Sequence, residues 1–394
     1  MCVLLLTIVQ TPNIVEFESQ SPCMSRQIRI EDASFIPNLL TWFEHNRADL
    51  PWRRTNNPYH IWLSEIMLQQ TQVATVIPYY ERFLERFPTV ESLASAPQDD
   101  LMKQWEGLGY YSRARNLQAA AKQVVEDYGG QIPQTAEELQ KLKGIGRYTA
   151  GAIASIAFGQ ATSILDGNVI RVFARLFDIE DDVRQTATKN DLWAVADSLI
   201  GFVPEGKTGN YNESLMELGR TVCKPRNPLC SHCPIANFCQ AKANNNQDQR
   251  PVKSRKPPTP HYDVTCGLIW NDKGELLITK RRDGDLLGGL WEFPGGKVED
   301  GETKEACLAR ELHEELGIKV EVGDFFIQVK HAYTHFKITL HAFECQFDPA
   351  GGDPFCHECA EWRWIKPETL TDYAFPRADR RIIEALYDRP NWLL

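Results

Sequence analysis

The stretch Leu142-Lys143-Gly144-Ile145-Gly146-Arg147-Tyr148-Thr149-Ala150-Gly151 carries two glycines, two positions apart, between segments whose apolar residues recur at helical spacing. Glycine lets the backbone turn tightly there, so amide N–H groups at the start of the second helix can point at a phosphate oxygen. Taken alone, the pattern fits an ordinary helix–helix turn equally well. Working outward, apolar residues keep the helical period from about Ile36 to Ala241 and strand-like alternation is scarce, so this half is expected to be all-α. Its punctuation agrees: Asn57-Pro58 is a cap followed by proline at the first helical position, Thr135 with Glu138 fits a capping box, and Gly107-Leu108-Gly109 interrupts a helix.

The chain has 394 residues, a formal net charge of −10 and 43% hydrophobic residues, which is globular composition on a length that suggests two domains. Disorder and collagen are excluded, as is bilayer insertion, because no apolar run approaches the roughly 18 residues a span needs. The acidic total argues against coating nucleic acid by bulk charge and leaves a local basic face open. Val3 to Val9 has no basic residue before it and no small-residue cleavage site after it, so a signal peptide is not expected and residues 1–30 read as a disordered extension. Four of the eleven cysteines lie within seventeen residues, which is metal-site usage rather than a secreted disulfide framework and implies a reducing, cytoplasmic setting.

Residues 241–262 hold four prolines, five Lys or Arg and one acid, and read as a basic linker suited to run beside a polyanion. Beyond it, Val264 to Trp270, the turn Asn271-Asp272-Lys273-Gly274, and Leu276 to Lys280 predict a β-hairpin, and Thr303 to Leu316 an amphipathic helix. The second half, 263–394, is therefore expected to be α+β.

Three groups in the first half carry chemistry. Cys223, Cys230, Cys233 and Cys239, spaced C-x6-C-x2-C-x5-C, offer four soft ligands for an iron–sulfur cluster or zinc. Zinc ribbons pair two C-x2-C knuckles and this run has one, which favours a [4Fe–4S] cluster, with Arg220, Lys224 and Arg226 making the loop basic. Glu65 has Ile61, Trp62 and Leu68 on its helix face, and apolar neighbours disfavour a carboxylate's charged form, as a general acid near neutral pH requires. Asp166 precedes Gly167 and on its own reads as a turn or cap residue.

Together, Pro51-Trp52-Arg53, the run Trp62 to Gln72, Gly107 to Arg115, the Leu142–Gly151 hairpin, Leu165 to Val169 and the four-cysteine loop resemble the MutY family of helix-hairpin-helix adenine DNA glycosylases, over about residues 31 to 394. The resemblance implies a glycosylase domain at 31–240 that acts, as a monomer, on duplex DNA holding adenine opposite 8-oxoguanine or guanine. It implies Glu65 as the general acid at adenine N7 and Asp166 as the carboxylate that stabilises or traps the oxocarbenium-like sugar. Tyr148 and Asn168 would steady the carboxylates and Glu213 would be a further acid of the pocket. Gln70 and Tyr110 would wedge into the duplex while adenine is flipped out, with Arg53, Lys143, Gly144, Gly146 and Arg147 binding DNA. In the similar endonuclease III a lysine nucleophile follows the hairpin; Tyr148 stands there here, so base removal without a Schiff base is expected. Two competing readings remain: thymine or uracil opposite guanine, which Glu65 and Glu213 disfavour by the resemblance, and an inactive lesion binder, which Glu65, Asp166 and Tyr148 disfavour.

Gly296, Glu302, Arg310, Glu311, Leu312, Glu314, Glu315, Gly317 and Ile318 fit the Nudix box, G-x5-E-x7-R-E-U-x-E-E-x-G-U, at every position. Glu311, Glu314 and Glu315 share one helix face, as Mg²⁺ at a diphosphate requires; a solvated helix face is the plain alternative. The C-terminal domain of the MutY family is similar to Nudix hydrolases in fold but has usually lost this box. Resemblance to MutT, the 8-oxo-dGTP pyrophosphohydrolase, adds Glu361 as a metal ligand and Asp379, where asparagine is usual, beside the oxidised base. The loop His331-Ala332-Tyr333-Thr334-His335 is similar to the MutY loop that detects 8-oxoguanine, which assigns that role to Tyr333, Thr334 and His335. Lesion reading is thus the expected main role of the second domain, with hydrolysis of 8-oxo-dGTP or a related nucleotide as the alternative. Cys356 and Cys359, with Cys345 nearby, read as free thiols because a fourth ligand is not evident.

Overall fold

The computed structural model describes residues 33–255 and 257–389, so the expected extension over 1–30 lies outside the described residues. The chain divides into two compact units. One takes residues 33–84, Thr89–Glu91 and residues 119–255, and the other takes Glu85–Pro88, Ser92–Gln118 and residues 257–389.

Among its described residues the first unit is helical. Its central helix, Pro58–Leu68, starts where the Asn57 side chain accepts from the Tyr59 amide and Pro58 needs no donor. Tyr59 and every residue from Ile61 to Met67 are buried, Glu65 included, so this helix is sunk in protein on all sides. Gly146 opens the helix Arg147–Phe158 without a capping side chain, and Gly159 closes it at φ +68°, a left-handed conformation natural to glycine. Asp166 caps Gly167–Leu176, whose Val169, Val172 and Phe173 join Phe35, Leu39, Tyr211, Leu215 and Leu218 in one core. Thr135 caps its short helix, but Glu138 does not complete the box: its carboxylate bonds Tyr128 and Lys141 instead.

The expected linker is folded over its first part. Residues Gln240–Ala243 are helical, Arg250 is buried with its Nε 2.7 Å from Asp178 Oδ1, and the Val183 amide donates to the Val252 carbonyl. A buried ion pair with hydrogen bonds on both partners fixes the chain there. The basic charge at 250 is therefore answered internally rather than by a polyanion.

The second unit is built on a sheet of β1 (His261–Trp270), β2 (Leu276–Lys280), β3 (Trp291–Glu292), β4 (Val320–Ala332), β5 (Lys337–Phe347) and β6 (Glu361–Ile365). The strand order is β3-β2-β1-β5-β4, with β6 also pairing β2; β1 and β5 run parallel and the other pairs antiparallel. The expected hairpin is present with Trp270 opposite Leu276. Successive side chains on a strand face opposite ways. Leu268, Leu276 and Ile278 accordingly pack with Ile382 and Leu386 of the helix Arg377–Tyr387, while Ile269 and Leu277 pack with Leu308, Leu312 and Leu316 of Lys304–Leu316. The 92–118 segment, expected in the helical domain, belongs to this unit: Glu106 Oε1 accepts from the Phe375 amide at 2.9 Å and Lys103 donates to the Tyr373 carbonyl at 3.0 Å.

Candidate active site

Within the first unit a cavity of about 760 Å³ is lined by Glu65, Gln70, Tyr148, Asp166, Asn168 and Glu213 among others. Glu65 is 5% exposed and accepts a 2.7 Å hydrogen bond from the Tyr148 hydroxyl. Burial pushes its carboxyl up to about 7, helped by the charges of Asp166 and Glu213 and opposed by the Tyr148 bond and Arg53. A side chain so placed holds a proton near neutral pH and can give it away. Asp166 is bonded quite differently: Oδ1 accepts from the Asn168 and Val169 amides at 2.9 and 2.7 Å, and Oδ2 from Asn168 Nδ2 at 2.8 Å. Burial leaves its pKa raised too, with those three bonds and Arg171 opposing the rise. The cap reading and the site reading of Asp166 are thus the same fact, since the helix amides that it caps stabilise its charge inside the cavity. Among the described residues no lysine lines this cavity.

One arginine expected on DNA is committed elsewhere. Arg53 has a side chain only 8% exposed, with Nε 2.9 Å from Glu213 Oε1 and Nη2 3.1 Å from Glu217 Oε2. It braces the acid wall of the cavity and is too deep to meet a phosphate. Arg147 is exposed, forks onto the half-exposed Asp197 at 2.7 and 2.9 Å and lies over the Trp193 ring at 4.0 Å. Of the hairpin residues, Lys143, Gly144 and Gly146 are exposed, with Gly144 at φ +77° in the turn. Gln70 and Tyr110 stand at φ +57° and +50°, a conformation that costs a non-glycine residue roughly 1–2 kcal/mol. Such strain gathers where function requires an exact side-chain direction. Arg171 was not singled out by the sequence. It donates to Asn168 Oδ1 at 2.8 Å, the Gly219 carbonyl at 2.7 Å and the Cys223 carbonyl at 2.7 Å, tying the Asp166–Asn168 pair to the cysteine loop. Only its position five residues after Asp166 on an amphipathic helix could have drawn notice.

Cys223, Cys230, Cys233 and Cys239 line one small cavity, with Arg175 and Lys242 on its wall. Soft thiol donors on all sides with two cations beside them fit an anionic iron–sulfur cluster. Among the described residues, no three His, Cys, Asp or Glu side chains are drawn together as ligands of a single metal ion.

The second unit has its own cavity of about 490 Å³, lined by Arg281, Glu292, Glu311, Glu315, Tyr333 and Asp379 among others. Glu315 is pushed up to about 8 by burial and by the charges of Glu292 and Glu311, and Asp379 to about 7 by burial and Glu292. Two of the expected metal ligands are not part of it. Glu314 points to Arg310, 2.9 Å away one helical turn back, and Glu361 is held by Arg363 at 2.6 Å. Glu292, which the sequence did not suggest, lines it and is ion-paired with Arg281. Tyr333 stacks on Phe336 with ring centres 4.7 Å apart, and the exposed Thr334 shares a short hydrogen bond with the Tyr110 hydroxyl; His335 is exposed. Cys356 and Cys359 are joined in a disulfide rather than free, and Cys345 is buried in the core.

Residues 63–197 match the HhH-GPD superfamily of base excision DNA repair proteins, 223–239 the iron–sulfur binding domain of endonuclease III, and 265–385 the NUDIX domain. The chain is 37% identical to the adenine DNA glycosylase of Homo sapiens, over 89% of its own length and 74% of that protein's. To that of Mus musculus it is 36% identical, over 90% and 78%. To that of Buchnera aphidicola subsp. Schizaphis graminum it is 39% identical, over 89% and 98%.

Proposed function

Because the chain belongs to the adenine DNA glycosylase family, we propose that its first cavity receives an adenine flipped out of a duplex in which it stood opposite 8-oxoguanine or guanine. Glu65 gives its proton to N7, the C1′–N9 bond breaks, and adenine leaves neutral. The positive charge left on the sugar is met by Asp166, whose three N–H donors favour its anionic form. Water then attacks C1′ and returns a proton to Glu65, leaving an abasic site with both strands intact. Tyr148 and Asn168 hold the two carboxylates in place, and Glu213 is fixed by Arg53. The observation that carries this reading is the contrast between the two acids, one buried with a single hydroxyl donor and the other bonded by two amides and Asn168. A cavity wall without lysine supports base removal without strand cleavage.

Gln70 and Tyr110 wedge into the duplex, Lys143, Gly144 and Gly146 meet its phosphates, and Tyr333, Thr334 and His335 read the oxidised base. The four cysteines hold a [4Fe–4S] cluster that gives the basic loop around Arg220, Lys224 and Arg226 its shape. The protein works as a monomer in the cytoplasm. Single-turnover base release from A:8-oxoguanine, A:G and T:G duplexes tests the assignment with wild type and a Tyr333→Ala/Thr334→Ala pair. Fast release from A:8-oxoguanine, falling toward the A:G rate in the double variant, is expected; release from T:G alone would overturn it.

A second reading has one specific observation behind it: Glu311, Glu315, Glu292 and Asp379 surround a single cavity in the second unit. With Mg²⁺ held by Glu311 and Glu315, that cavity hydrolyses 8-oxo-dGTP or a related nucleoside diphosphate derivative. Release of pyrophosphate and monophosphate in the presence of Mg²⁺, lost in Glu315→Gln, checks it.

A further inference from the structure

We propose that Arg175 is the counter-charge of the iron–sulfur cluster and a hydrogen-bond donor to its Cys223 ligand, so that this one residue governs how tightly the cluster is kept and at what potential. The inference rests on the reading that the four cysteines hold a cluster.

Arg175 is among the most deeply buried side chains of the protein, 2% exposed, at the C-terminal end of the helix that Asp166 caps. Its guanidinium makes five hydrogen bonds. Four go to carbonyl oxygens, those of Gln247 (2.8 Å), Arg250 (3.2 Å), Lys224 (2.7 Å) and Pro225 (3.3 Å), and the fifth goes from Nη1 to Cys223 Sγ at 3.3 Å. Its backbone carbonyl lies 3.3 Å from Cys239 Sγ, so the residue touches the first and the last cysteine of the loop. Among the described residues no carboxylate forms an ion pair with it.

Buried Arg171 of the same unit likewise bonds only carbonyls and Asn168 without an ion pair among the described residues, but the Asp166 carboxylate acts on it. Elsewhere in the same unit, buried Arg53 is paired with Glu213 and Glu217, and buried Arg250 with Asp178. A guanidinium removed from water needs an anion as well as acceptors, because carbonyl dipoles replace its hydrogen bonds but not its missing counter-charge. The anion is the group in the cavity on whose wall Arg175 lies. Four thiolates around a [4Fe–4S] core of charge +2 leave a net charge of −2, and two cations, Arg175 and Lys242, line that cavity. The signs match.

Two effects follow from the same contact. A donor and a positive charge at Cys223 stabilise the more negatively charged, more reduced state of the cluster, which raises its reduction potential. They also resist loss of the Cys223 thiolate. A residue that merely clamped the loop through its four carbonyls would do neither.

The full-length protein, purified with its iron, tests this with Arg175→Gln and Arg175→Lys. The readouts are iron and sulfide per chain, the rate at which a ferrous chelator bleaches the visible absorbance, the cluster potential by protein-film voltammetry, and the Fe–S(Cys) stretching bands in resonance Raman. In Arg175→Gln the chelator is expected to act roughly ten times faster or more, the potential to move negative and an Fe–S(Cys) band to shift. Arg175→Lys, which keeps the charge, falls between this variant and wild type. Should Arg175→Gln not fold, the shifted band and faster bleaching in Arg175→Lys carry the test. Potential and Raman bands equal to wild type in whichever variants hold a cluster, however fast they lose it, would leave only a clamp and overturn the proposal. Wild type that purifies with zinc or without metal would instead defeat the cluster reading beneath it.

Discussion

Replacing Glu65 by Gln should make the protein more stable as it makes it inactive, and the gain should depend on pH. Glu65 is 5% exposed and its carboxyl is pushed from 4.5 up to about 7, chiefly by burial. A folded-state pKa above the unfolded one means that the folded chain holds the extra proton between those two values, so folding loses stability as pH rises through that window. A tenfold change in a group's proton affinity is worth about 1.4 kcal/mol, so the cost approaches about 3 kcal/mol once Glu65 is fully ionised. Gln has nearly the same shape, still accepts the bond from Tyr148 and carries no charge. Its advantage over wild type should therefore be about 1 kcal/mol near pH 5 and about 3 kcal/mol near pH 8. Urea denaturation of both proteins across this range, paired with single-turnover base release, measures both sides. Release should fall by about 10²–10⁴-fold or more. For wild type it should decline as pH rises through about 7, where Glu65 loses the proton that it donates. An inactive variant whose stability tracks wild type at every pH would refute the reasoning, because Glu65 would then not be a desolvated acid.

Other consequences separate folding from chemistry. Asp166→Asn keeps a good cap, so folding stability should change by no more than about 0.5 kcal/mol while base release collapses; a large loss of stability would mean that the charge is structural. Gly219→Ala would place a Cβ 2.6 Å from Asn168 Cβ and 3.1 Å from its Cα. Overpacking of that kind costs about 1–3 kcal/mol, and displacing Asn168 from Asp166 should slow adenine release at least tenfold, read in the same single-turnover assay. Gly296→Ala would put a Cβ 2.1 Å from the Glu311 carboxyl carbon and push that side chain out of the second cavity. Mg²⁺-dependent nucleotide hydrolysis should then disappear with adenine release unchanged.

What the residues show before folding depends on how far apart the partners are. The helical half, the hairpin at Trp270–Leu276, the Asn57 cap and the apolar setting of Glu65 are all local patterns, and local patterns were legible. Arg53 looked like a phosphate ligand because its partners Glu213 and Glu217 are more than 150 positions away. Arg250 of the basic stretch misled for the same reason, since a charge in sequence does not reveal that Asp178 will answer it. Periodicity placed Glu311, Glu314 and Glu315 on one face but could not show that Arg310 would claim Glu314 or that Glu292 would arrive from β3. Arg171 and Arg175 read as ordinary residues on an amphipathic helix, because their meaning lies in a loop some fifty positions later.

The most direct measurement of the central claim is the identity of both products from a duplex holding adenine opposite 8-oxoguanine. Free adenine and an unbroken strand carrying one abasic site, with no protein trapped on DNA by borohydride, is the result that the Glu65–Asp166 pocket predicts. Adenine that stays attached, or a nicked strand with protein trapped on it, would contradict the account.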